Sequence, residues 1–377
     1  MKRDIIRLND FYTRKGNDMS ATYRRNSAIE QVRAKIALRG IEVRNHQMNT
    51  PNIFWVGTDY DQDYSGFIQS LSKYGLINTF INSGGKYGLK ISKDRMDIDV
   101  IEENSKLIIE QIKNLGNIDM LFGQMMAMYV SADALKHIQK MGIITINISM
   151  DDRLPALWKS KRGMMKGGGG LVDGLDLVLT TSKEACQRYM ILGCPSIYWP
   201  LASDPNIFHP LGIRNIDVCF VGSRYGIRDK VIRALINSGI RVEAFGPGWQ
   251  NGKISASDIS TLFGKSKIVL GIGTVGHSTD VYTLKLRDFD ATMSGALYVT
   301  HRNPDLIELF KEDEEIVCYK SIDEVVTKVH YYLNNDFRRE QIAQAGMKKA
   351  ITYHTWDKRF AELFGILAQT KTKDGGV

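Results

Sequence analysis

Asp217-Val-Cys-Phe-Val-Gly-Ser-Arg-Tyr-Gly-Ile-Arg228, Val242-Glu-Ala-Phe-Gly246, Ile268-Val-Leu-Gly-Ile-Gly273 and Thr283-Leu-Lys-Leu-Arg-Asp-Phe-Asp-Ala-Thr-Met-Ser-Gly295 decide how this chain folds. The first three read as short buried strands, each ending in glycine, with helical segments between them. That alternation predicts a parallel sheet covered by helices. In such sheets a ligand binds outside the carboxyl ends of the strands. Arg224 and Arg228 follow the first strand, in that position. Arg287 and Asp290 are three apart on one predicted helix and share a face. Cations for phosphate and a carboxylate for sugar hydroxyls suit a diphosphate joined to a ribose.

Working outward, the upstream chain repeats the pattern. Ile53-Phe-Trp-Val-Gly57 and the acidic loop Thr58–Gly66 read as a first βα turn. Ile118–Gly123, Ile143–Ser149 and Asp176–Thr181 read as further strands, with helix starts at Ser131 and Ser182. Asp151 and Asp152 follow the strand ending at Ser149, at the expected mouth of the domain. Lys166-Gly-Gly-Gly-Gly170 does not match a Walker A loop and is read as a mobile acceptor-side loop, a plain linker being the alternative. Ala28, Val32, Ile36 and Leu38 mark an early helix packed on the domain, or else a basic arm reaching a partner. The segment Tyr198–Pro210 is proline-rich and extended, which suits an interdomain linker. Helices are expected at 322–334 and 336–353, and a last one after Thr355.

A chain of 377 residues is long enough for two domains. No apolar run suffices to span a membrane, and Met1–Arg7 lacks the apolar core of a signal peptide. Cys186, Cys194, Cys219 and Cys318 are scattered without metal-ligand spacing and read as reduced thiols in a cytoplasmic protein. A net charge of +8 favours anionic partners: a nucleotide-sugar, an anionic membrane surface or nucleic acid.

The stretch Asp217–Gly295 resembles the nucleotide-binding domain of GT-B glycosyltransferases, most closely the spore-maturation (CgeB-like) group. That group has a strand ending in Gly, an Arg in the next loop, and a later Arg-x-Phe-Glu-Ala-x-x-x-Gly. Here the last motif reads Arg287-Asp-Phe-Asp290-Ala-Thr-Met-Ser-Gly295, with Asp290 in place of Glu. Tyr282 stands where retaining relatives often carry a further Glu, a departure that weighs against a retaining assignment. A narrower likeness links Met150-Asp-Asp-Arg-Leu-Pro155 to the Thr-Asp-x-Arg-Leu-Pro segment of phage DNA β-glucosyltransferases, with Asp151 in the position of the base. Those enzymes also carry two arginines four apart after a glycine, as Arg224 and Arg228 are.

The resemblance implies an α/β chain of GT-B type, two Rossmann-like domains facing across a cleft, with a C-terminal helix crossing back to the first. Residues 1–205 would bind acceptor, 206–355 would bind donor, and 356–377 would form the crossing helix. It implies transfer of a sugar from a nucleotide-diphosphate sugar, most readily a UDP-sugar, with no obligatory cofactor or metal. Gly222, Arg224, Arg228, Lys285, Arg287, Asp290 and His301 are the donor-binding candidates. Asp151 and Asp152 are the candidates for the base that deprotonates the acceptor. A glycan or cell-surface acceptor is favoured over hydroxymethylated duplex DNA. A non-catalytic scaffold binding nucleotide-sugar or glycan is the alternative of another class.

Overall fold

Two parallel sheets organise the chain, and helices supply the crossovers that parallel pairing requires. The computed structural model describes residues 1–18, 25–39, 50–92, 96–161, 164–275, 277–279 and 281–368. The chain divides into two compact units: residues 1–63, 71–200 and 360–377 form the first, and residues 64–70 and 201–359 the second.

In the first unit the strands are β1 (Asn52–Val56), β2 (Leu76–Thr79), β3 (Met120–Gly123), β4 (Ile144–Ser149), β5 (Leu177–Thr180) and β6 (Ser196–Tyr198). They pair in the order β2-β1-β3-β4-β5-β6, all parallel. Every residue of β4 is buried, because helices cover both faces of such a sheet. This explains the continuous β-branched run at its position in the sequence. The helices of eight or more residues are α1 (Lys2–Asp18), α2 (Arg25–Leu38), α3 (Ile98–Leu115), α4 (Ala132–Lys140) and α5 (Lys183–Ile191). Ser131 caps α4 by accepting from the Ala134 N–H at 3.1 Å.

The expected early helix is α2, and it packs through buried Ala28, Val32 and Ile36. Several basic residues on and just after it are engaged within the protein. Arg25 pairs with Glu362, and Arg33 donates to the Ile366 carbonyl at 2.8 Å. Lys35 donates to the Leu175 carbonyl at 3.2 Å, and Arg39 pairs with Asp176 at 2.5 Å. Arg24, part of the same basic set, lies outside the described residues.

In the second unit β7 (Ile216–Val221), β8 (Val242–Phe245), β9 (Ser266–Gly271), β10 (Leu297–His301) and β11 (Val317–Tyr319) pair in the order β8-β7-β9-β10-β11, again all parallel. Between and after them run α6 (Arg228–Asn237), α7 (Ala256–Gly264), α8 (Leu286–Met293), α9 (Ile322–Leu333) and α10 (Asp336–Tyr353). The last helix, α11 (Trp356–Leu367), begins in the second unit and continues as residues of the first. The core gathers Val218, Phe220, Ile268, Leu270, Leu297 and Val299 from the three central strands.

The segment 166–170 departs from the expected mobile loop. Gly168–Gly170 form a tight 3₁₀ turn. A Cβ at Gly168 would lie 2.5 Å from the Tyr189 hydroxyl, and one at Gly170 would lie 2.4 Å from the Met165 carbonyl. The glycines are there because the backbone is packed too closely for side chains, not to confer motion. All four cysteines are buried free thiols, as expected.

Candidate active site

The second sheet reverses its winding between β7 and β9, since the chain runs from β7 out to β8 and returns to the other side of β7. A crevice opens at the carboxyl ends of the strands at such a point. Gly222 ends β7 with φ +152, outside the comfortable range of residues bearing a side chain. A Cβ there would lie 3.1 Å from Arg287 Nη1 and 3.2 Å from Arg228 Nη1. The glycine therefore leaves room for two guanidinium groups side by side.

Arg228 opens α6 and donates to the Ser223 carbonyl at 2.8 Å. Arg287 lies in the first turn of α8 and donates to the Val221 carbonyl. Phe220 floors both, its ring centroid 5.7 Å from the Arg228 guanidinium and 4.7 Å from that of Arg287. Tyr225 lies against the Arg228 guanidinium at 4.1 Å. Arg228 is 6% exposed and Arg287 9%. Among the described residues neither forms an ion pair, and the Nε of each is buried without a partner. Burial, and then the neighbouring Arg287 charge, pull the Arg228 pKa from 12.5 down to about 10. Two uncompensated buried cations make a site for an anion of more than one charge.

Asp290, a turn further along α8, is buried, and burial pushes its carboxyl well above the usual carboxylate range. His301 ends β10 between Tyr282 and Tyr319, with ring centroids 5.7 and 4.4 Å away. Burial lowers its pKa to about 4, so the ring is neutral at pH 7, and its Nδ1 is buried without a partner. Lys285 occupies the N-cap position of α8, where its backbone N–H donates to Asp288 at 2.7 Å. The Thr283 hydroxyl is another buried group without a partner.

Arg224, the other donor-binding candidate after β7, lies in a different environment. It pairs with Asp229 at 2.6 Å and lies over the Trp249 ring at 5.3 Å. The same carboxylate also pairs with Arg233, so Arg224 is held in an exposed ion-pair cluster that the buried Arg228 and Arg287 lack. Trp249 in turn donates its indole N–H to the Gly222 carbonyl at 2.7 Å, fixing the turn.

In the first unit the two adjacent aspartates have opposite environments. Asp152 is 1% exposed and accepts from Ser149 at 2.6 Å, Thr180 at 2.6 Å and Tyr189 at 2.7 Å. Burial raises its pKa despite those donors. A carboxylate enclosed by three hydroxyls anchors a turn and has no access to an acceptor. Asp151 is half-buried, and among the described residues its carboxylate has no hydrogen-bond partner. Arg153, next along the turn, is bound by both oxygens of Glu184 at 3.0 Å.

The sequence did not point to Phe220 as the floor of the guanidinium pair. Its alternation within β7 marks it only as buried. Nor did it point to Thr283 or to Gln124 at the end of β3, because single polar residues in loops carry no spacing signal.

Residues 228–365 match the family model described as glycosyl transferase-like. No curated protein matches the chain. Among solved structures, a glycosyltransferase from Rickettsia africae superposes with a TM-score of 0.59 at 12% identity, over 85% of this chain and 100% of that one. Anabaena Alr3699/HepE, in a complex with UDP-glucose, has a TM-score of 0.59 at 12% identity over 83% and 99% of the two chains. The sucrose-phosphate synthase of Thermosynechococcus elongatus has a TM-score of 0.57 at 9% identity, over 84% and 98%. The fold is GT-B. In this GT-B chain the guanidinium pair lies within the matched glycosyl transferase-like region, most of which falls in the second unit. No helix among the described residues is long and apolar enough to cross a membrane.

Proposed function

We propose that the protein transfers a sugar from a nucleotide-diphosphate sugar to a hydroxyl of a glycan or other cell-surface acceptor. The observation that carries this reading is the buried, uncompensated pair Arg228 and Arg287 at the switch point of the second sheet. A departing diphosphate gains charge in the transition state, and pre-positioned cations stabilise it there. Asp290 is assigned to the ribose hydroxyls and neutral His301 to the donor sugar. Gly222 admits the phosphates, and Lys285 and Arg224 are peripheral to them. A UDP-sugar is the first donor to test, since a neighbour of the same fold carries UDP-glucose.

In this reading Asp151 takes the acceptor proton as the acceptor oxygen bonds to the anomeric carbon. The bond from that carbon to the phosphate oxygen breaks, and the diphosphate leaves with the electron pair. Tyr282 in place of a second carboxylate favours inversion at that centre. The CgeB-like group remains the family that the motifs resemble most. Duplex DNA is the second acceptor hypothesis: Arg33, Lys35 and Arg39 are engaged within the protein, whereas Arg7 and Arg14 on α1 are exposed. Calorimetric titration with UDP, GDP and ADP and with their glucose conjugates tests the donor assignment. Transfer activity separates an enzyme from a non-catalytic scaffold. Absence of binding by every nucleotide would refute the reading.

A further inference from the structure

The first sheet has its own reversal of winding, between β1 and β3. Thr58 and Gln124 lie just past the carboxyl ends of these two strands. The Thr58 hydroxyl donates to Gln124 Oε1 at 3.4 Å, and Gln62 Nε2 donates to the same oxygen at 3.2 Å. Among the described residues the Gln124 amide nitrogen donates only to the Met150 thioether, at 3.5 Å. Sulfur is a weak acceptor, so this half-buried amide keeps its donors available. Met150 immediately precedes Asp151, and β3 and β4 are paired neighbours through Gly123 and Asn147. The amide cluster and the unpartnered carboxylate therefore share one sheet edge.

The loop carrying Thr58 and Gln62 is held rigidly. Buried Asp63 accepts from Trp55 Nε1 at 3.1 Å and from the Tyr87 hydroxyl at 2.6 Å. A Cβ at Gly57 would lie 2.1 Å from Asp63 Oδ2, so only glycine permits this closure. Tyr60, on the same loop two residues before Gln62, packs edge-on to Tyr87 at 5.4 Å and is 55% exposed. The charges nearest the amides are negative: Asp59 and Asp61 are exposed and Asp151 is half-buried, while Arg153 is bound by Glu184 and Lys183 lies further along, after β5.

We propose that this edge is the acceptor site, and that it takes an uncharged, polyhydroxylated sugar whose hydroxyls are held by Gln124, Gln62 and Thr58 beside Asp151. Amides and hydroxyls both donate and accept, as sugar hydroxyls do, and an aromatic surface suits the apolar face of a pyranose. A polyphosphate backbone would meet carboxylates there instead of cations. The proposal rests on the glycosyltransferase reading and supplies its acceptor class.

The test uses the full chain with UDP present and two kinds of probe: methyl glycosides of glucose, galactose, mannose and N-acetylglucosamine, and a hydroxymethylated DNA duplex. Saturation-transfer NMR and titration report binding of each. At least one glycoside should bind, and Gln124→Ala should weaken it about 3- to 10-fold, the scale of one neutral hydrogen bond, with UDP affinity and melting temperature unchanged. Gln62→Ala should act in the same direction. Binding of the duplex but of no glycoside would overturn the proposal. So would no binding by any glycoside, or glycoside binding that is indifferent to Gln124→Ala. Failure of UDP itself to bind would strike the donor reading, and this proposal with it.

Discussion

Arg228→Met should make the protein more stable and a worse nucleotide binder at once. Arg228 carries its charge in a buried place beside Arg287; burial and that neighbouring charge pull its pKa from 12.5 to about 10, which costs the folded state. At 1.36 kcal/mol per pKa unit this is roughly 3 kcal/mol. The group is charged in both folded and unfolded chains at pH 7, so the full destabilisation is present below the folded pKa and disappears only in strong alkali. Methionine keeps much of the stem and removes the charge. It forfeits the bond to the Ser223 carbonyl and the contact with Tyr225, about 1–2 kcal/mol together. The net gain is about 1–2 kcal/mol, or a rise of roughly 2–8 °C in melting temperature for a unit of this size. Nucleotide affinity should move the other way. Losing one charge-assisted hydrogen bond, about 1.5–3 kcal/mol, weakens UDP about 10- to 150-fold. Scanning calorimetry of the apo-protein and titration with UDP at pH 7.5 measure both quantities. A variant that melts lower and binds UDP as well as the parent would refute the account of an uncompensated pair.

Asp290→Ala should weaken UDP binding while leaving the far-ultraviolet circular dichroism unchanged; unaltered affinity would remove the ribose assignment. Asp151→Asn should retain donor binding and lose transfer by about 100-fold or more, read from initial rates. Asp152→Ala should instead lower stability by at least ~3 kcal/mol, because three buried hydroxyls lose their acceptor. Urea denaturation separates the two, and a stable Asp152→Ala protein without transfer would reverse the roles given to the pair. Burial raises the Asp63 pKa from 3.8 to about 6, so the folded state holds its proton more tightly than the unfolded one. Its contribution to stability therefore falls as pH rises from about 4 to about 6, by up to ~3 kcal/mol. Asp63→Asn should flatten the urea midpoint across that window relative to the parent, and an unchanged slope would refute this.

Much of this was written in the sequence, and the reason is locality. Strand–glycine–helix alternation, the β-branched run of β4 and the cap at Ser131 act over a few residues, so they announce two parallel sheets before any coordinates. That Arg228 and Arg287 come together beside Gly222 was legible in part, because strand ends and helix starts fix where such side chains go. What the sequence could not give was compensation. Whether an arginine is a free cation depends on what lies beside it. Arg224 has Asp229, whereas Arg228 has another arginine. Adjacent Asp151 and Asp152 differ only through Ser149, Thr180 and Tyr189, two of which come from a neighbouring strand and helix. The acidic, amide-lined edge of the first sheet likewise exists only once β1, β3 and β4 are paired. Local sequence sets periodicity and turns; burial and charge pairing are properties of residues distant in sequence, and only the tertiary structure decides them.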